Sequence, residues 1–155
     1  MRFAVISIAA FAFAATPALA GDAEDAYASV KTFIDGFNTG DVASSLAVCA
    51  TSASIIDEFA PYAWSGEDAC TNWVNDYGAD SEKKGVTDGV VTLHEATHVF
   101  VEGDNAYVVA PVDYAFKVAG KPSGQKGSTL TAALAKQDGQ WKITQWSWST
   151  GKMKE

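Results

Sequence analysis

The sequence predicts an α+β fold, a cone-shaped roll in which a curved, mostly antiparallel sheet wraps about three N-terminal helices. Three observations predict it. Helical periodicity fills much of the first half of the chain, period-two alternation takes over from Val86, and tight turns rather than helices join the later strands. Helices first, then a meander of strands, excludes a βαβ repeat.

The first twenty residues stand apart from this pattern. Met1 and Arg2 supply a short positive start, Phe3 to Ala15 is an uncharged apolar run, and Ala18-Leu19-Ala20 is the small-x-small pattern cut by a signal peptidase. Residues 1–20 are therefore read as a signal peptide cleaved after Ala20, and the protein as exported to the bacterial periplasm or the extracellular space. The apolar run is too short to span a bilayer and no second one follows, so no membrane anchor is expected. Gly rather than Cys at position 21 argues against a lipoprotein. Residues 21–155 form one domain, long enough to bury a core without covalent staples.

In that domain Asp22 is placed to cap a helix whose stripe is Tyr27, Val30, Phe33, Ile34 and Phe37, ended at Asn38-Thr39-Gly40. Asp41 caps a short second helix through about Val48. Thr51 to Phe59 reads as a strand, followed by a turn at Pro61 and an extended piece from Tyr62 to Trp64. Ser65-Gly66-Glu67-Asp68 resembles a capping box for a helix carrying Ala69, Cys70, Trp73, Val74 and Tyr77 on one face. Four long strands are then expected: Val90 to Glu102, Ala106 to Ala119, Ser128 to Gln137 and Trp141 to Ser149. A flexible loop is expected over Gly120 to Gly127, and a solvated tail from Gly151 to Glu155.

Charge narrows the partners. Arg2 is the only arginine, and 10 lysines face 19 carboxylates in residues 21–155, a formal charge of −9. Such a chain is a poor partner for nucleic acid, whose binding rests on phosphate neutralisation. It also lacks the guanidinium fork that clamps anionic ligands, so neutral or cationic ligands fit better. The same charge also serves simply to keep an exported protein soluble. Cys49 and Cys70 are the only cysteines, and an oxidising compartment favours a structural disulfide between them, worth roughly 3 kcal/mol for a loop of about 20 residues. Two buried thiols or a redox pair are the alternatives; the spacing is not that of a CxxC motif.

A strongly twisted antiparallel sheet over helices curls into a cone with a packed end and an open, hollow end. The run Phe33 to Asp41 (FIDGFNTGD), the strand Ile55-Ile56-Asp57, Trp64-Ser65-Gly66 and the closing Trp141-Lys142-Ile143 resemble the nuclear transport factor 2-like superfamily, its SnoaL-like and ketosteroid-isomerase-like branches above all. The resemblance covers nearly all of residues 21–155. It implies the cone-shaped roll, a pocket at its open end and frequent homodimers through the outer sheet face. It does not imply one activity, because the superfamily includes isomerases, cyclases, dehydratases, binding proteins and assembly modules.

By that resemblance Asp57 falls where ketosteroid-isomerase-like enzymes carry a general-base aspartate. A carboxylate at the mouth of an apolar pocket is made more basic by lost hydration. Alternatively, Asp57 binds local backbone N–H groups before the Pro61 turn. The isomerase's oxyanion donors are missing: Phe33 stands at the first-helix position, and Ala132 or Ala133 at the later one. Asp113 lies mid-strand, either inward as a second carboxylate or outward in solvent, and Pro111 is a possible bulge that shifts the count. Trp146 and Trp148 count onto one face with Lys142 and Thr144, expected to be concave, where two indoles with their N–H donors suit a ring-containing ligand; core filling or a dimer patch is the alternative. Trp64, Tyr62 and Phe33 are further candidates for the pocket wall. His94 and His98, about 13 Å apart on a strand, are too distant to share a metal, and no metal or cofactor is expected.

Three functions follow. The first is an exported pocket protein for a small apolar or aromatic molecule. The second is an isomerase-, cyclase- or dehydratase-type enzyme using Asp57 as general base. The third is a non-catalytic dimerisation module.

Overall fold

A computed structural model describes residues 18–154. The leader read over residues 1–20 lies outside the described residues up to residue 17. Three helices come first, with strands between and after them: α1 (Ala18–Thr39), α2 (Val42–Ala47), β1 (Cys49–Ile56), β2 (Ala63–Glu67) and α3 (Ala69–Lys84). Six strands follow: β3 (Val86–Leu93), β4 (His98–Glu102), β5 (Asn105–Val118), β6 (Lys121–Gln137), β7 (Gln140–Ser149) and β8 (Lys152–Lys154). No helix among the described residues is long and apolar enough to cross a membrane.

The strands form one sheet in the order β2-β1-β7-β6-β5-β3, with β4 also on β5 and β8 also on β6. Every pairing is antiparallel except β1 with β7. The core lies between the helices and the concave sheet face. Val30, Phe33 and Ile34 of α1 meet Ile55, Val108, Val112, Leu134 and Ile143 there. This is the α+β cone expected from the sequence.

The helix stripe and the Asp41 cap are as the sequence predicts, the Asp41 carboxylate accepting from the Ser44 N–H at 3.1 Å. Four local expectations differ. Because α1 begins at Ala18, Asp22 is inside the helix and instead pairs with Lys136 at 2.6 Å. Ser65 to Glu67 belong to β2, so α3 starts at Asp68 in a left-handed conformation without a capping box. The long strand expected over Val90 to Glu102 is broken at residues 94–97, where the chain shifts from β3 to β4 along the same edge of β5. The loop expected at Gly120 to Gly127 is instead the start of β6, since the turn needs only Ala119 and Gly120, both with positive φ.

The C-terminal segment is likewise a strand where a tail was expected, although Lys152 and Met153 remain exposed. Gly151 makes it possible. A Cβ there would stand 2.2 Å from the Lys126 carbonyl oxygen, so only glycine lets the chain turn back onto β6. Its N–H donates to Ser128 Oγ at 2.9 Å, and β8 brings Met153 to the cavity wall. The Cys49–Cys70 disulfide ties β1 to α3.

Candidate functional site

The open end of the cone holds a cavity of about 510 Å³ between α1, α3 and the inner face of β5 to β7. That volume is in the range of small-molecule sites. Phe33 and Phe37 reach it from α1, Trp73 and Tyr77 from α3, Tyr114 and Phe116 from β5, and Trp146 and Trp148 from β7. Trp73 is the hub. Its ring lies 5.9 Å from Phe33, 5.7 Å from Tyr77 in a stacked arrangement, and 4.9 Å from Trp146 edge-on.

Several polar groups join this aromatic lining. Asp57 follows the end of β1 and lines the cavity. Trp73 Nε1 donates to its Oδ2 at 2.8 Å, and the Glu58 backbone N–H donates to its Oδ1 at 2.7 Å. Both hydrogen bonds favour the carboxylate, but loss of hydration outweighs them and pushes Asp57 up to about 6. Glu58 also lines the cavity, accepting from Gln125 Nε2 and from Thr150 Oγ1. Buried Gln125 in turn accepts from Trp148 Nε1 at 2.9 Å and from Ser128 Oγ at 3.0 Å.

Beside Trp73, the hydroxyls of Tyr77 and Tyr114 share a short hydrogen bond. Burial, the Tyr77 hydroxyl and the nearby Glu58 and Asp57 charges all hold the Tyr114 phenol well above its ordinary range, so it stays protonated. Gly89 makes room for the pair: a Cβ there would lie 2.6 Å from Tyr114 Oη and 3.2 Å from Tyr77 Oη.

Phe33, Asp57, Trp146 and Trp148 are thus brought together at the cavity, but by a different strand count from the one the sequence suggested. Ala133 pairs with Gln145 and Leu134 with Ile143, which leaves Thr144 as a bulge. The extra residue reverses the alternation. Trp141 and Ile143 before it, and Trp146 and Trp148 after it, all face inward, whereas Lys142 bonds outward to the Ala47 carbonyl at 2.6 Å. Of the indole N–H groups at the cavity, those of Trp73 and Trp148 have the partners given above, whereas Trp146 Nε1 is buried without a partner.

Asp113 does not join Asp57. Inward positions on β5 run Val108, Ala110, Val112 and Tyr114, so Asp113 faces the other side. There it closes a second bulge, accepting from the Gly127 N–H at 2.9 Å, Lys126 Nζ at 2.7 Å and His94 Nε2 at 3.1 Å. Lys126 above all, with the Gly127 N–H, holds its carboxyl well below the usual carboxylate range. Tyr62, 61% exposed with φ 73°, points away from the cavity because its turn leaves the sheet. Trp64 is core: it packs 4.9 Å from Phe59 and donates to Asp76 Oδ2 at 2.8 Å, one layer behind the cavity wall. His98 stacks on Phe100 at the outer surface.

A family model of the SnoaL-like domain matches residues 27–152. The chain belongs to the SnoaL-like domain family. No curated protein matches its sequence. Among solved structures, this SnoaL-like domain is similar to a nuclear transport factor 2-like superfamily protein from Salmonella enterica serovar Typhimurium, at TM-score 0.71 and 12% identity over 86% of this chain and 93% of that one. It is also similar to a hexachlorocyclohexane dehydrochlorinase from Novosphingobium barchaimii, at TM-score 0.70 and 15% identity over 88% and 90%. A third, a protein with a cystatin-like fold from Novosphingobium aromaticivorans, gives TM-score 0.68 and 17% identity over 86% and 84%. At these identities the likeness is one of fold.

The SnoaL-like domain also recruits residues that the sequence reading left in the core or in loops. Trp73 and Tyr77 share the apolar face of α3, and helical spacing alone reads as packing. Glu58 neighbours Asp57 and would point the opposite way in a regular strand; leaving β1 at Ile56 lets both line the cavity. Gln125 sits in a segment that reads as loop. The one available signal was Tyr114, an inward position of β5 by simple alternation from Val108.

Proposed function

We propose that this chain is an exported pocket protein that binds a small apolar or aromatic molecule at the open end of its cone. One observation carries the reading: a cavity of about 510 Å³ walled mainly by aromatic and aliphatic side chains, with a few polar groups among them. Flat rings offer an apolar, ring-containing ligand large contact area, and a few polar groups orient it. Export is supported by the leader-like first twenty residues and by the Cys49–Cys70 disulfide. A thermal-unfolding screen with aromatic and terpenoid compounds tests it. A true ligand at a hundred times its Kd adds about 2.7 kcal/mol of stability. A screen in which no compound raises the unfolding temperature overturns the reading.

A catalytic reading is favoured by a separate observation, the Asp57 carboxylate at the cavity with its proton affinity raised to about 6. Such a group accepts a proton near neutral pH. Its two hydrogen bonds come from Trp73 and the Glu58 backbone; of the bonded Tyr77 and Tyr114 hydroxyls one donates to the other, and the proton of the accepting hydroxyl is the donor nearest to hand for a developing oxyanion. Unchanged turnover of an identified substrate by Asp57→Asn removes this reading. Pairing of two copies is a compatible third role, supported by Phe100 and Tyr107, cross-strand neighbours exposed on the outer face.

A further inference from the structure

The cavity carries a charge that an apolar occupant does not explain. Three carboxylates line it, Asp57, Glu58 and Asp80, against the single ammonium of Lys84. Lys84 is paired with Asp80 at 2.7 Å. Among the described residues neither Asp57 nor Glu58 is in an ion pair; both are held by uncharged donors, Trp73 and the Glu58 N–H for one, Gln125 and Thr150 for the other. Uncharged donors orient a carboxylate without cancelling its charge, and burying charge without a counter-ion is unfavourable. Asp57 carries this cost half-buried, and Glu58 stands beside it exposed at the mouth, so two carboxylates without an ion-pair partner line the same cavity.

The walls act in the same sense. Trp73 and Tyr77, stacked on each other, line the cavity with Tyr114 and Trp148, and the face of an aromatic ring is the negative side of its quadrupole. A carboxylate accepts hydrogen bonds only, and an ammonium only donates them. An anionic ligand finds no unpaired cation here among the described residues, and a neutral one leaves half-buried Asp57 uncompensated.

Resting on the reading of the cavity as a ligand site, we propose that its ligand is an organic amine: a protonated nitrogen held at the Asp57–Glu58 side, with an apolar or aromatic body among the rings. Binding then depends on pH. The titratable groups facing Asp57 are Glu58 beside it, Tyr77 and the Asp80–Lys84 pair on α3, and Tyr114 on β5. Asp57 is pushed up to about 6, and its protonation below that pH removes one of the two unpaired charges, so affinity for a permanently protonated amine falls on acidification.

Calorimetric titration of the full chain at pH 7.5 with 1-naphthylmethylamine, 1-naphthylmethanol and 1-naphthoate tests this. Cyclohexylamine, cyclohexanol and cyclohexanecarboxylate repeat the comparison with an aliphatic body. In at least one series the amine binds tenfold or more tighter than the alcohol, and the carboxylate binds weakest. Asp57→Asn and Glu58→Gln each lower the amine-to-alcohol ratio at least threefold, in protein that retains a cooperative thermal transition. Lowering the pH from 7.5 to 5 weakens the amine but not the alcohol. An alcohol that binds as tightly as its amine overturns the amine assignment and leaves the pocket reading standing. No binding by any of the six probes overturns both.

Discussion

Asp57 stores an unfavourable interaction that a single substitution releases. Its carboxyl titrates near 6 in the fold and near 3.8 in a free chain, so the folded state binds the extra proton between those values. Stability from this group is thus fully present below about pH 4 and is lost as pH rises through 6. Asp57→Asn is expected to stabilise the protein at pH 8 by about 1–2 kcal/mol, with the gain vanishing toward pH 4. Guanidinium unfolding at pH 4, 6 and 8 measures this, and a substitution neutral at every pH contradicts the burial of Asp57. Gly89 offers a second test at this scale. Gly89→Ala drives a methyl into the Tyr77–Tyr114 hydroxyl pair and is expected to destabilise by about 1–3 kcal/mol. Adding Tyr114→Phe removes the atom struck, so the double variant recovers part of the loss; strict additivity in denaturant unfolding counts against the clash. At this scale Asp57 was legible through the resemblance, which places a general-base aspartate at its position. Glu58 was not, since its side-chain direction depends on where the strand stops, which alternation does not specify.

Helix α3 and strand β1 hold the two halves of the polar side, Trp73 and Tyr77 on one and Asp57 on the other. The Cys49–Cys70 disulfide joins them. Replacing both cysteines by Ala is expected to lower stability by roughly 3 kcal/mol in the chain-entropy view. Because the bond lies near the start of α3, the loss also loosens the seating of Trp73 on Asp57. Indole fluorescence that shifts toward the exposed range in the double variant below its unfolding temperature reports that loosening; an unchanged spectrum confines the disulfide to a staple. Helices were legible through their stripes and the Gly40 and Asp41 boundaries, whereas the end of α3 was blurred by the polar run from Gly78 to Gly85. Strand limits were less so. Residues 121–127 carry Pro, Ser and two glycines yet pair along β5, because a neighbour supplies the register that local propensity lacks. The Thr144 bulge escaped for the same reason: a two-residue period cannot announce the residue that interrupts it.

On the scale of the whole molecule, the order of elements was enough to predict a sheet rolled over helices and a hollow at its open end. Its outer face presents Phe100, 60% exposed, beside Tyr107. If that face pairs two copies, Phe100→Asp shifts the protein toward monomer in light scattering at micromolar concentration, with the cavity's ligand binding retained; an unaltered mass releases the face from that role. What the order of elements could not disclose is the parallel union of β1 with β7, where Ile55 lies beside Trp146 across 91 positions of chain. That union sets a sequence of events during folding. Contacts so remote along the polypeptide form slowly, after the local meander is in place. The arm bearing Asp57 therefore waits for residues made near the end of synthesis, and a truncated chain has a framework but no finished receptacle. Pairing of the two cysteines asks for no such delay, since both lie in the early arm; it can tether that arm while the berth beside β7 is still being built.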